Sequence, residues 1–449
     1  MIKLKIKSDS RKINKGDIFV DFEDNEEYVL DAINRGAKKV IVKDKFYDVE
    51  TKIVNDPKQY IADYLYQKYQ KNFKKITMIG ITGTNGKTTT AYLTYQLLNK
   101  LGIKCAYIGT IGFYINNKHT NINNTTPDIL DLYELFIKCF KAKVKVIVME
   151  VSSHALKLNR VLNIKYDYAI FTNLTHDHMD FHKNIENYKD AKKRLFNNLK
   201  NKKIAILNID DPYYKDFIFN KNKNITYGKN GDINILKYEL FINKSILTFS
   251  YKNKTYQVTL NIPGLYNIYN YLAVFSTLVN MKINPKRIIK NTKFLKPPKG
   301  RMESISNKYH VFIDYAHTPD AVLNVLNNVK KYNMKIITII GCGGDRDKLK
   351  RPIMGEIATE NSDHVIFTND NPRNEDEKKI MKDIVYNIHN SNYEIIYDRE
   401  EAIKKGISML TPSDILLILG KGHETYQLIN GVKHDFDDHI IACKYLNMK

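Results

Sequence analysis

The sequence lacks tryptophan and has little cysteine, proline or glycine, with four, 11 and 20 residues respectively among 449. Cys105, Cys139, Cys342 and Cys443 form neither a CxxC pair nor zinc-site spacing, which argues against a disulfide framework and a zinc site. No run reaches the roughly 18 apolar residues of a membrane span. The opening MIKLKIKSDSRK lacks the apolar core of a signal peptide. We therefore expect a cytoplasmic protein without membrane insertion.

The formal net charge of +22 raises the question of nucleic-acid binding, because phosphate backbones attract basic surfaces. Lysine is abundant together with Asn, Ile and Tyr, a bias that A/T-rich codons produce, and the charge is spread rather than clustered. Most lysines are thus expected to form an ordinary solvated surface. We expect no nucleic-acid partner, although the charge can help to attract an anionic substrate.

Three segments with different patterns divide the chain. Residues 1–75 contain short strand-like runs around a helical stretch, typical of a small α/β unit. Residues 76–297 alternate apolar strands with polar loops and helical patterns, which indicates a parallel sheet covered by helices, with an antiparallel appendage between Asn224 and Gln257. The prolines of KFLKPPKGRME mark a linker, and residues 298–449 repeat the strand-then-loop pattern of an open, Rossmann-like domain. The predicted fold class is α/β with three domains.

The central segment contains a candidate phosphate loop. A strand, ITMIGIT, runs into GTNGKTT, from Gly83 to Thr89, and then into a helical pattern that begins near Lys87. This order directs backbone N–H groups at a polyphosphate, with Lys87 near the terminal phosphates and the Thr88 hydroxyl near Mg²⁺. The strict GxxxxGK[ST] spacing is not met, since Ile81 occupies the place of the first glycine. A chance GKT is the alternative, but the context favours a P-loop ATPase domain.

One lysine shares the apolar face of a predicted helix, IENYKDAKKRLFNNL. Lys192 lies on that face, whereas Lys189 does not. One interpretation is a lysine whose stem lies along the core and whose amine reaches water, which is the commoner case. The other is a desolvated amine of lowered pKa that takes up CO₂ and becomes a carbamate, an oxygen ligand suited to Mg²⁺. The apolar residues of the face are Ile185, Tyr188, Ala191, Leu195, Phe196 and Leu199.

Nearby strand ends supply further candidate ligands for a hard metal ion. The stretch MEVSSH contributes Glu150, and a loop rich in His and Asp follows a later strand. That loop can be an N-cap network or a zinc site, but with a phosphate loop in the chain, Mg²⁺ bridging ATP is the better interpretation. The loop candidates are Asn173, His176, Asp177, His178, Asp180 and His182.

Ten motifs occur in the order seen in Mur ligases, and together they span nearly the whole chain. They are GTNGKTT, EVSSHAL with Arg160, NLTHDHMDFH, YxxAKxxLF with Lys192, GLYNIYN, GRME, DYAHTPDA, GCGGDRDKLKRP, DNPR and GKGHE. The chain resembles the branch of that family that adds the third residue of the peptidoglycan stem peptide. The resemblance implies that residues 1–75 bind the UDP-muramoyl substrate, residues 76–297 bind ATP and residues 298–449 bind the incoming amino acid.

The same resemblance assigns site residues by their place in these motifs. It implies catalytic roles for Lys87, Glu150, His178 and Lys192, with Lys192 carbamylated to N6-carboxylysine. The implied Mg²⁺ ligands are Thr88, Glu150, His178 and the modified Lys192. The implied ATP contacts are Gly83, Thr84, Asn85, Gly86, Lys87, Thr88, Thr89, Asn267, Arg301 and Asp314. The implied muramoyl-peptide contacts are Ser10, Asn124, Thr125, Thr126, Ser152 and Arg160, and the implied amino-acid contacts are Arg346, Asp370, Asn371, Pro372, Arg373, Gly420 and Glu424.

Arg373 of the DNPR motif bears on which amino acid is added. In the family this motif accompanies meso-diaminopimelate, and lysine-adding members lack the arginine. A guanidinium presents a planar fork to a second carboxylate, which lysine does not have, while Glu424 suits an ammonium group. The alternative is an ordinary ion pair of Arg373 with Glu375 or Asp376. Lanthionine, another dicarboxylic diamino acid, would satisfy the same arginine.

The implied reaction is ATP-dependent amide formation between meso-diaminopimelate and UDP-N-acetylmuramoyl-L-alanyl-D-glutamate, through an acyl phosphate, in a monomer. Two features depart from the family pattern: DFEDNEEYVLD replaces a glycine-rich turn, and Leu158 stands where a glutamine commonly contacts the muramoyl substrate. These departures leave the uridine and sugar contacts open. The rival functions are a sister amide ligase, such as a folylpolyglutamate synthetase, and a non-catalytic nucleic-acid-associated relative.

Overall fold

The computed structural model describes residues 4–116 and 118–449, and its first part is a small sheet of four parallel strands with two α-helices. Its elements are β1 Ile6–Lys7, a 3-10 helix Ser10–Lys12, β2 Ile18–Val20, α1 Glu26–Asn34, β3 Lys39–Val42, β4 Glu50–Ile53 and α2 Pro57–Phe73. The sheet order is β1-β2-β3-β4. Asp56 caps α2 by accepting the Gln59 N–H, and Pro57 supplies a first-turn residue that needs no N–H partner.

The central part is built around an 11-stranded sheet. Its strands are β5 Thr77–Thr82, β6 Cys105–Gly109, β7 Gly112–Ile115, β8 Lys118–Thr120, β9 Val146–Glu150, β10 Tyr166–Phe171, β11 Leu199–Asn208, β12 Lys223–Gly228, β13 Ile233–Phe241, β14 Lys244–Tyr251 and β15 Lys254–Leu260. Its helices are α3 Lys87–Lys100, α4 Ile129–Lys141, α5 Ser153–Lys157, α6 Met179–His182, α7 Ile185–Asn197, a 3-10 helix Tyr214–Phe217, α8 Leu265–Asn280 and α9 Pro285–Thr292.

The strand order of this sheet is β15-β14-β13-β12-β11-β10-β5-β9-β6-β7-β8. The strands from β12 to β6 in that order are parallel, and β6 and β9 are buried along their whole length because helices cover both faces. The predicted antiparallel appendage is too wide, because Asn224 to Gly228 belong to β12, which pairs in parallel with β11. Within the predicted region, the antiparallel pairs are β13 with β14 and β14 with β15. β12 lies between β11 and β13, but its buried residues alternate with partly exposed ones as in a half-buried antiparallel strand, so the sequence pattern could not separate the two.

The last part contains a six-stranded sheet, ordered β16-β17-β21-β18-β19-β20, in which only β16 is antiparallel to its neighbour, and a separate two-stranded hairpin. The strands are β16 Glu303–Ser304, β17 His310–Asp314, β18 Lys335–Ile340, β19 His364–Phe367, β20 Tyr393–Ile395, β21 Asp414–Leu419, β22 Tyr426–Ile429 and β23 Val432–Asp435. The helices are α10 Pro319–Lys330, α11 Lys350–Asn361, α12 Glu377–Val385, α13 Arg399–Met409 and α14 Asp438–Met448. Among the described residues, every helix is too short or too polar to cross a bilayer.

Candidate active site

A cavity of about 1490 Å³ opens between the central and C-terminal sheets. Much of its wall consists of loops that follow the carboxyl ends of strands, where open α/β sheets bind ligands. Ser10, Gly83, Lys192 and Pro372 lie outside this wall. The predicted site residues that line it are Thr84, Asn85, Gly86, Lys87, Thr88, Thr89, Asn124, Thr125, Thr126, Glu150, Ser152, Arg160, His178, Asn267, Arg301, Asp314, Arg346, Asp370, Asn371, Arg373, Gly420 and Glu424.

The phosphate loop, Gly83 to Thr89, requires glycine at two positions. Gly83 has a φ of 152°, and a Cβ there would lie 1.8 Å from the Thr172 hydroxyl oxygen. Gly86 caps α3 with a φ of 83°, in the left-handed region. The helix therefore starts in the cavity wall without a side chain capping its first turn, which leaves backbone N–H groups available to an anion.

Asn173, which follows β10, braces this loop. Its backbone carbonyl accepts the Thr84 N–H at 2.8 Å, and its side-chain oxygen accepts the Asn85 N–H at 2.8 Å. Lys87 lies across the loop, with Nζ donating to the carbonyl oxygens of Gly83 at 2.9 Å and Thr84 at 2.8 Å. Burial lowers the pKa of Lys87, and the negative charge of Glu150 opposes that shift. Two carbonyl groups of the loop thus hold the ammonium of Lys87 in place.

Glu150, at the end of β9, is a fully buried carboxylate surrounded by donors. It accepts hydrogen bonds from Thr88 Oγ1 at 2.9 Å, from the Tyr107 hydroxyl at 2.5 Å, and from the N–H and Oγ1 of Thr110 at 2.8 and 3.1 Å. Tyr107 and Thr110 were not singled out in the sequence, where they lie in and just after an apolar strand. A carboxylate beside a threonine hydroxyl offers the hard oxygen donors that Mg²⁺ prefers, so Glu150 and Thr88 fit this ion.

Lys192 is buried on α7, with 1% of its surface exposed. Its Nζ donates to the Gly83 carbonyl oxygen at 2.7 Å and lies 4.0 Å from the centre of the Tyr188 ring. Burial, with a further contribution from the charge of Lys87, lowers the pKa of this amine well below its usual range. The interpretation of an amine that reaches water is therefore wrong, because the Lys192 amine lies against the base of the phosphate loop.

Two details of this helix differ from the sequence-based expectation. The side chain of Lys189 is also largely buried, and its Nζ pairs with Glu186 at 2.7 Å and with Asp216 at 3.4 Å. Asp216 lies in a separate 3-10 helix. The ion pair that allows Lys189 to be buried therefore could not be predicted from the pattern of one helix. Leu199 is the first residue of β11 rather than part of the helix.

His178 lies at the start of α6 in the left-handed region, with a φ of 56°. Its Nε2 is 3.3 Å from the Asp177 carboxylate, and burial lowers its pKa to about 4. His182 contacts the Ser153 hydroxyl at 3.0 Å, and His176 is exposed. Within the described chain, no three His, Cys, Asp or Glu side chains are grouped to hold a metal ion. His178 is therefore available as a neutral nitrogen ligand, and its ring packs edge-on against that of His154, with the ring centres 4.7 Å apart.

Two of the predicted ATP contacts are already engaged within the protein. The Asn267 amide donates to the Pro263 carbonyl at 2.7 Å. The Asp314 carboxylate accepts the N–H groups of Met302 at 2.7 Å and Ala316 at 2.8 Å, and burial raises its pKa. Both residues line the cavity, but these contacts also fix the segment that joins the central and C-terminal sheets.

Arg301 differs from these two, because its guanidinium carbon lies 4.7 Å from the centre of the Tyr315 ring. The guanidinium therefore stacks on an aromatic face within the cavity wall.

The predicted muramoyl-peptide residues fall into two places. The Thr126 hydroxyl donates to the Glu150 carbonyl at 2.9 Å, and Arg160 Nη1 donates to the Thr126 carbonyl at 3.3 Å, which links this group to the end of β9. Ser152 caps α5 by accepting the Ala155 N–H. Thr125 and Asn124 complete the group.

Ser10 lies in the N-terminal part of the chain, away from the large cavity. It is buried there, and its hydrogen bond lowers the pKa of Asp31. The structure therefore separates Ser10 from the other predicted muramoyl-peptide residues.

Arg373 faces the cavity without a carboxylate partner in the described chain. Its Nη1 donates to the Gly344 carbonyl at 2.7 Å, and its φ of 54° lies in the left-handed region. Glu375 pairs instead with Arg351 at 3.0 Å, and Asp376 caps α12. The alternative of an ion pair with Glu375 or Asp376 is therefore wrong. Arg373 presents a guanidinium whose strongest contacts are to neutral carbonyl groups.

An acidic pair lies at the same end of the cavity. Asn371 Nδ2 donates to Asp370 Oδ1 at 2.9 Å and to Glu424 Oε2 at 2.8 Å. Burial, followed by the charge of Asp370, raises the pKa of Glu424. Lys421, which is completely buried and was not predicted, donates to Glu424 Oε2 at 3.1 Å. A Cβ at Gly420 would lie 2.6 Å from Asp370 Oδ2, so this glycine makes room for the pair.

Comparison with known proteins agrees with this geometry. The Mur ligase middle domain matches residues 81–278, and the Mur ligase, glutamate ligase domain matches residues 300–422. A UDP-N-acetylmuramoyl-L-alanyl-D-glutamate--2,6-diaminopimelate ligase of Fusobacterium nucleatum is 41% identical, covering 97% of this chain and 92% of that protein. A Clostridium botulinum protein of the same name is 39% identical, covering 97% and 93%.

A solved structure of a ligase with that name superposes with a TM-score of 0.71 at 31% identity, covering 99% of this chain and 95% of the other. The predicted α/β fold class and the predicted enzyme class, a ligase, are confirmed by these matches. This chain belongs to the Mur ligase family.

Proposed function

We propose that the enzyme joins meso-diaminopimelate to the D-glutamyl carboxylate of UDP-N-acetylmuramoyl-L-alanyl-D-glutamate, with ATP converted to ADP and phosphate. The names of the relatives support this reaction. The observation that carries it is the guanidinium of Arg373, which faces the cavity with no carboxylate of the described chain paired to it. A dicarboxylic substrate would supply the missing partner.

The phosphate loop supports the activation step. The first N–H groups of α3 and the ammonium of Lys87 stabilise the negative charge that grows as the γ-phosphoryl group moves to the D-glutamyl carboxylate. The product of this step is an acyl phosphate with ADP as leaving group. Thr88, Glu150, His178 and a carbamylated Lys192 would hold Mg²⁺, which supplies further neutralisation of the phosphate charge.

Carbamylation of Lys192 is part of this proposal. An amine must be neutral to attack CO₂, and the lowered pKa of Lys192 favours the neutral form. The product is an anionic oxygen group, a type of ligand that Mg²⁺ prefers, as is the Glu150 carboxylate beside Thr88. A permanent ammonium at the base of the phosphate loop would instead repel Lys87, which is a reason to expect the modification.

The acidic pair supports the amide-forming step. Asp370 and Glu424 suit an ammonium group of the amino acid, while Arg373 and Arg346 suit its carboxylates. The other, neutral amine then attacks the acyl phosphate, and phosphate leaves from a tetrahedral intermediate. Lanthionine carries the same four charged groups, so it remains an alternative amino acid for this site.

We also propose domain boundaries at residues 75/76 and 297/298, a cytoplasmic location and action as a monomer. The second boundary is supported by the stretch between α9 and β16, which carries Pro297 and Pro298 and contains neither helix nor strand in the structure. A cytoplasmic location fits the use of ATP and the four free cysteines.

The test is a phosphate-release assay with each substrate omitted in turn. Phosphate release that requires the muramoyl dipeptide, ATP and diaminopimelate together supports the proposal. Release that proceeds with folate and glutamate instead would assign the chain to a sister ligase. No release under any condition, with DNA binding that persists at high salt, would favour the non-catalytic alternative.

A further inference from the structure

The two cavity-facing arginines, Arg346 and Arg373, are carried by different loops. We call residues 341–347 the β18 loop and residues 370–376 the β19 loop, after the strands they follow. The two arginine side chains flank Gly343: a Cβ there would lie 2.6 Å from Arg373 Nη1 and 3.8 Å from Arg346 Cγ. The separation of the two guanidinium groups therefore depends on how the two loops are held together.

Backbone contacts bring the loops close. The Gly344 N–H donates to the Asn371 carbonyl at 2.9 Å, and the Gly344 carbonyl accepts from Arg373 Nη1 at 2.7 Å. A Cβ at Gly344 would lie 1.9 Å from the Pro372 carbonyl oxygen, so the backbones approach too closely for any side chain there. These contacts fix the middle of the interface but not its outer end.

Glu375 joins the outer ends. It belongs to the β19 loop, and its Oε1 accepts the N–H of Asp345 in the β18 loop at 2.5 Å. Arg351 of α11 binds the same carboxylate in bidentate fashion, with both distances at 3.0 Å, and donates to the Gly343 carbonyl at 3.1 Å. The Arg351 side chain has no exposed surface. One buried guanidinium thus ties both loops to a helix.

The Arg351 and Glu375 pair does not face the large cavity. Its contacts are instead to the backbone of Gly343 and Asp345, just before Arg346, and Glu375 itself lies two residues after Arg373. The pair therefore acts on a ligand only through those two arginines. The second carboxylate on Arg351, Asp383 at 2.8 Å, belongs to α12 and has no hydrogen bond to either loop among the described contacts. Arg351 therefore binds two carboxylates, of which Glu375 contacts the loops and Asp383 does not.

We propose that Arg351 and Glu375 are positioning residues that set the spacing of Arg346 and Arg373 and thereby the selection of a dicarboxylic amino acid. This inference rests on the proposed function. Bidentate recognition of a carboxylate tolerates little displacement, so a loop shift of less than 1 Å weakens it. ATP and the muramoyl dipeptide contact other parts of the wall and are unaffected by that shift.

The test is Glu375→Gln, which keeps the shape of the side chain but turns a donor toward Arg351 Nη1. We expect the KM for diaminopimelate to rise roughly tenfold, with the KM for ATP changed less than twofold. Any turnover of L-lysine, which has no second carboxylate, should not decline. The selectivity for diaminopimelate over lysine therefore falls, a change that a general loss of stability would not produce.

Asp383→Asn is the matched control, because it changes the other carboxylate that Arg351 binds. It should leave the KM for diaminopimelate within twofold of the wild type. Glu375→Asp keeps the charge but shortens the side chain, so its KM for diaminopimelate should lie between those of the wild type and Glu375→Gln. This variant carries the test if Glu375→Gln folds poorly. An unchanged diaminopimelate KM in both Glu375 variants, or an equal rise in Asp383→Asn, overturns the inference. A wild-type enzyme that prefers lysine would instead reject the proposed function before the variants are compared.

Discussion

The two ends of the cavity are built in different ways. At the phosphate end, Gly83 to Thr89 form a continuous loop whose shape follows from two glycines and one helix start. At the amino-acid end, the charged groups come from loops after three strands, β18, β19 and β21. The shape of the phosphate loop is therefore encoded locally, although Asn173 and Lys192 contact it from distant positions, whereas the amino-acid end is formed by contacts between distant residues. We expect changes at the first to stop the reaction and changes at the second to alter which amino acid is used.

Lys192→Ala should have the largest effect and abolish ligation in ordinary buffer, because it removes the proposed carbamate beside the phosphate loop. Steady-state phosphate release is the measurement, and a short carboxylic acid added to the variant should restore part of the rate. Lys189→Ala is a matched control, since that lysine is on the same helix but pairs with Glu186 and Asp216. Full activity of Lys192→Ala without additive would exclude the metal-anchoring role.

Arg373→Ala should raise the KM for diaminopimelate roughly 100-fold, the loss expected for a charge-assisted, bidentate contact. The KM for ATP should stay close to that of the wild type, because the phosphate loop is unchanged. Arg373→Lys retains the charge but not the planar guanidinium, so its KM for diaminopimelate should lie between those of the wild type and Arg373→Ala. Equal increases in both KM values would show that the arginine supports the fold rather than the carboxylate.

Tyr107→Phe should lower kcat by roughly tenfold, because it removes one of the donors that orient the buried Glu150 carboxylate. The KM for diaminopimelate should not change, since Tyr107 lies at the phosphate end. Titration of the rate with Mg²⁺ is the sharper measurement, and the variant should need a higher concentration to reach half of its maximal rate. An unaltered Mg²⁺ dependence of the rate would show that Tyr107 has no influence on the metal site.

The smallest expected effect concerns pH. Burial lowers the pKa of His182 to about 4, below its usual value of about 6.5. The unfolded state therefore binds more protons than the folded state between these values, so this residue reduces stability as the pH falls from about 6.5 to about 4. The free energy of unfolding of His182→Gln should fall less steeply over that window. If the free energy of unfolding of this variant falls with pH as steeply as that of the wild type, His182 does not contribute to the pH dependence of stability.

The contrast between the two ends also explains what the sequence could predict. The strand, the glycine loop and the start of α3 are adjacent in sequence, and the structure has them as the pattern indicates. The place of Lys192 on an apolar helix face allowed either a buried amine or one that reaches water, and the structure shows the buried amine. Tyr107 was missed because its hydrogen bond to Glu150 joins residues 43 positions apart in the sequence, on the neighbouring strands β6 and β9.

Long-range pairing explains the other differences. Glu375 was considered as a partner of Arg373, two positions away, but the buried Arg351 on α11 holds it instead. Lys421 was overlooked because a lysine in a glycine-rich stretch looks exposed, whereas Glu424, Asn371 and the Tyr426 carbonyl bury its amine. Neither assignment depends on local pattern, so only the folded chain reveals them.

The proposed selection of a dicarboxylic amino acid can be tested by competition for the acyl phosphate. Equal concentrations of diaminopimelate, lanthionine, L-lysine and ornithine are supplied with ATP and the muramoyl dipeptide, and the amide products are resolved by mass spectrometry. The two dicarboxylic amino acids should supply nearly all of the product, because only they bring a second carboxylate to Arg373. A lysine adduct as abundant as the diaminopimelate adduct would contradict the proposed selection.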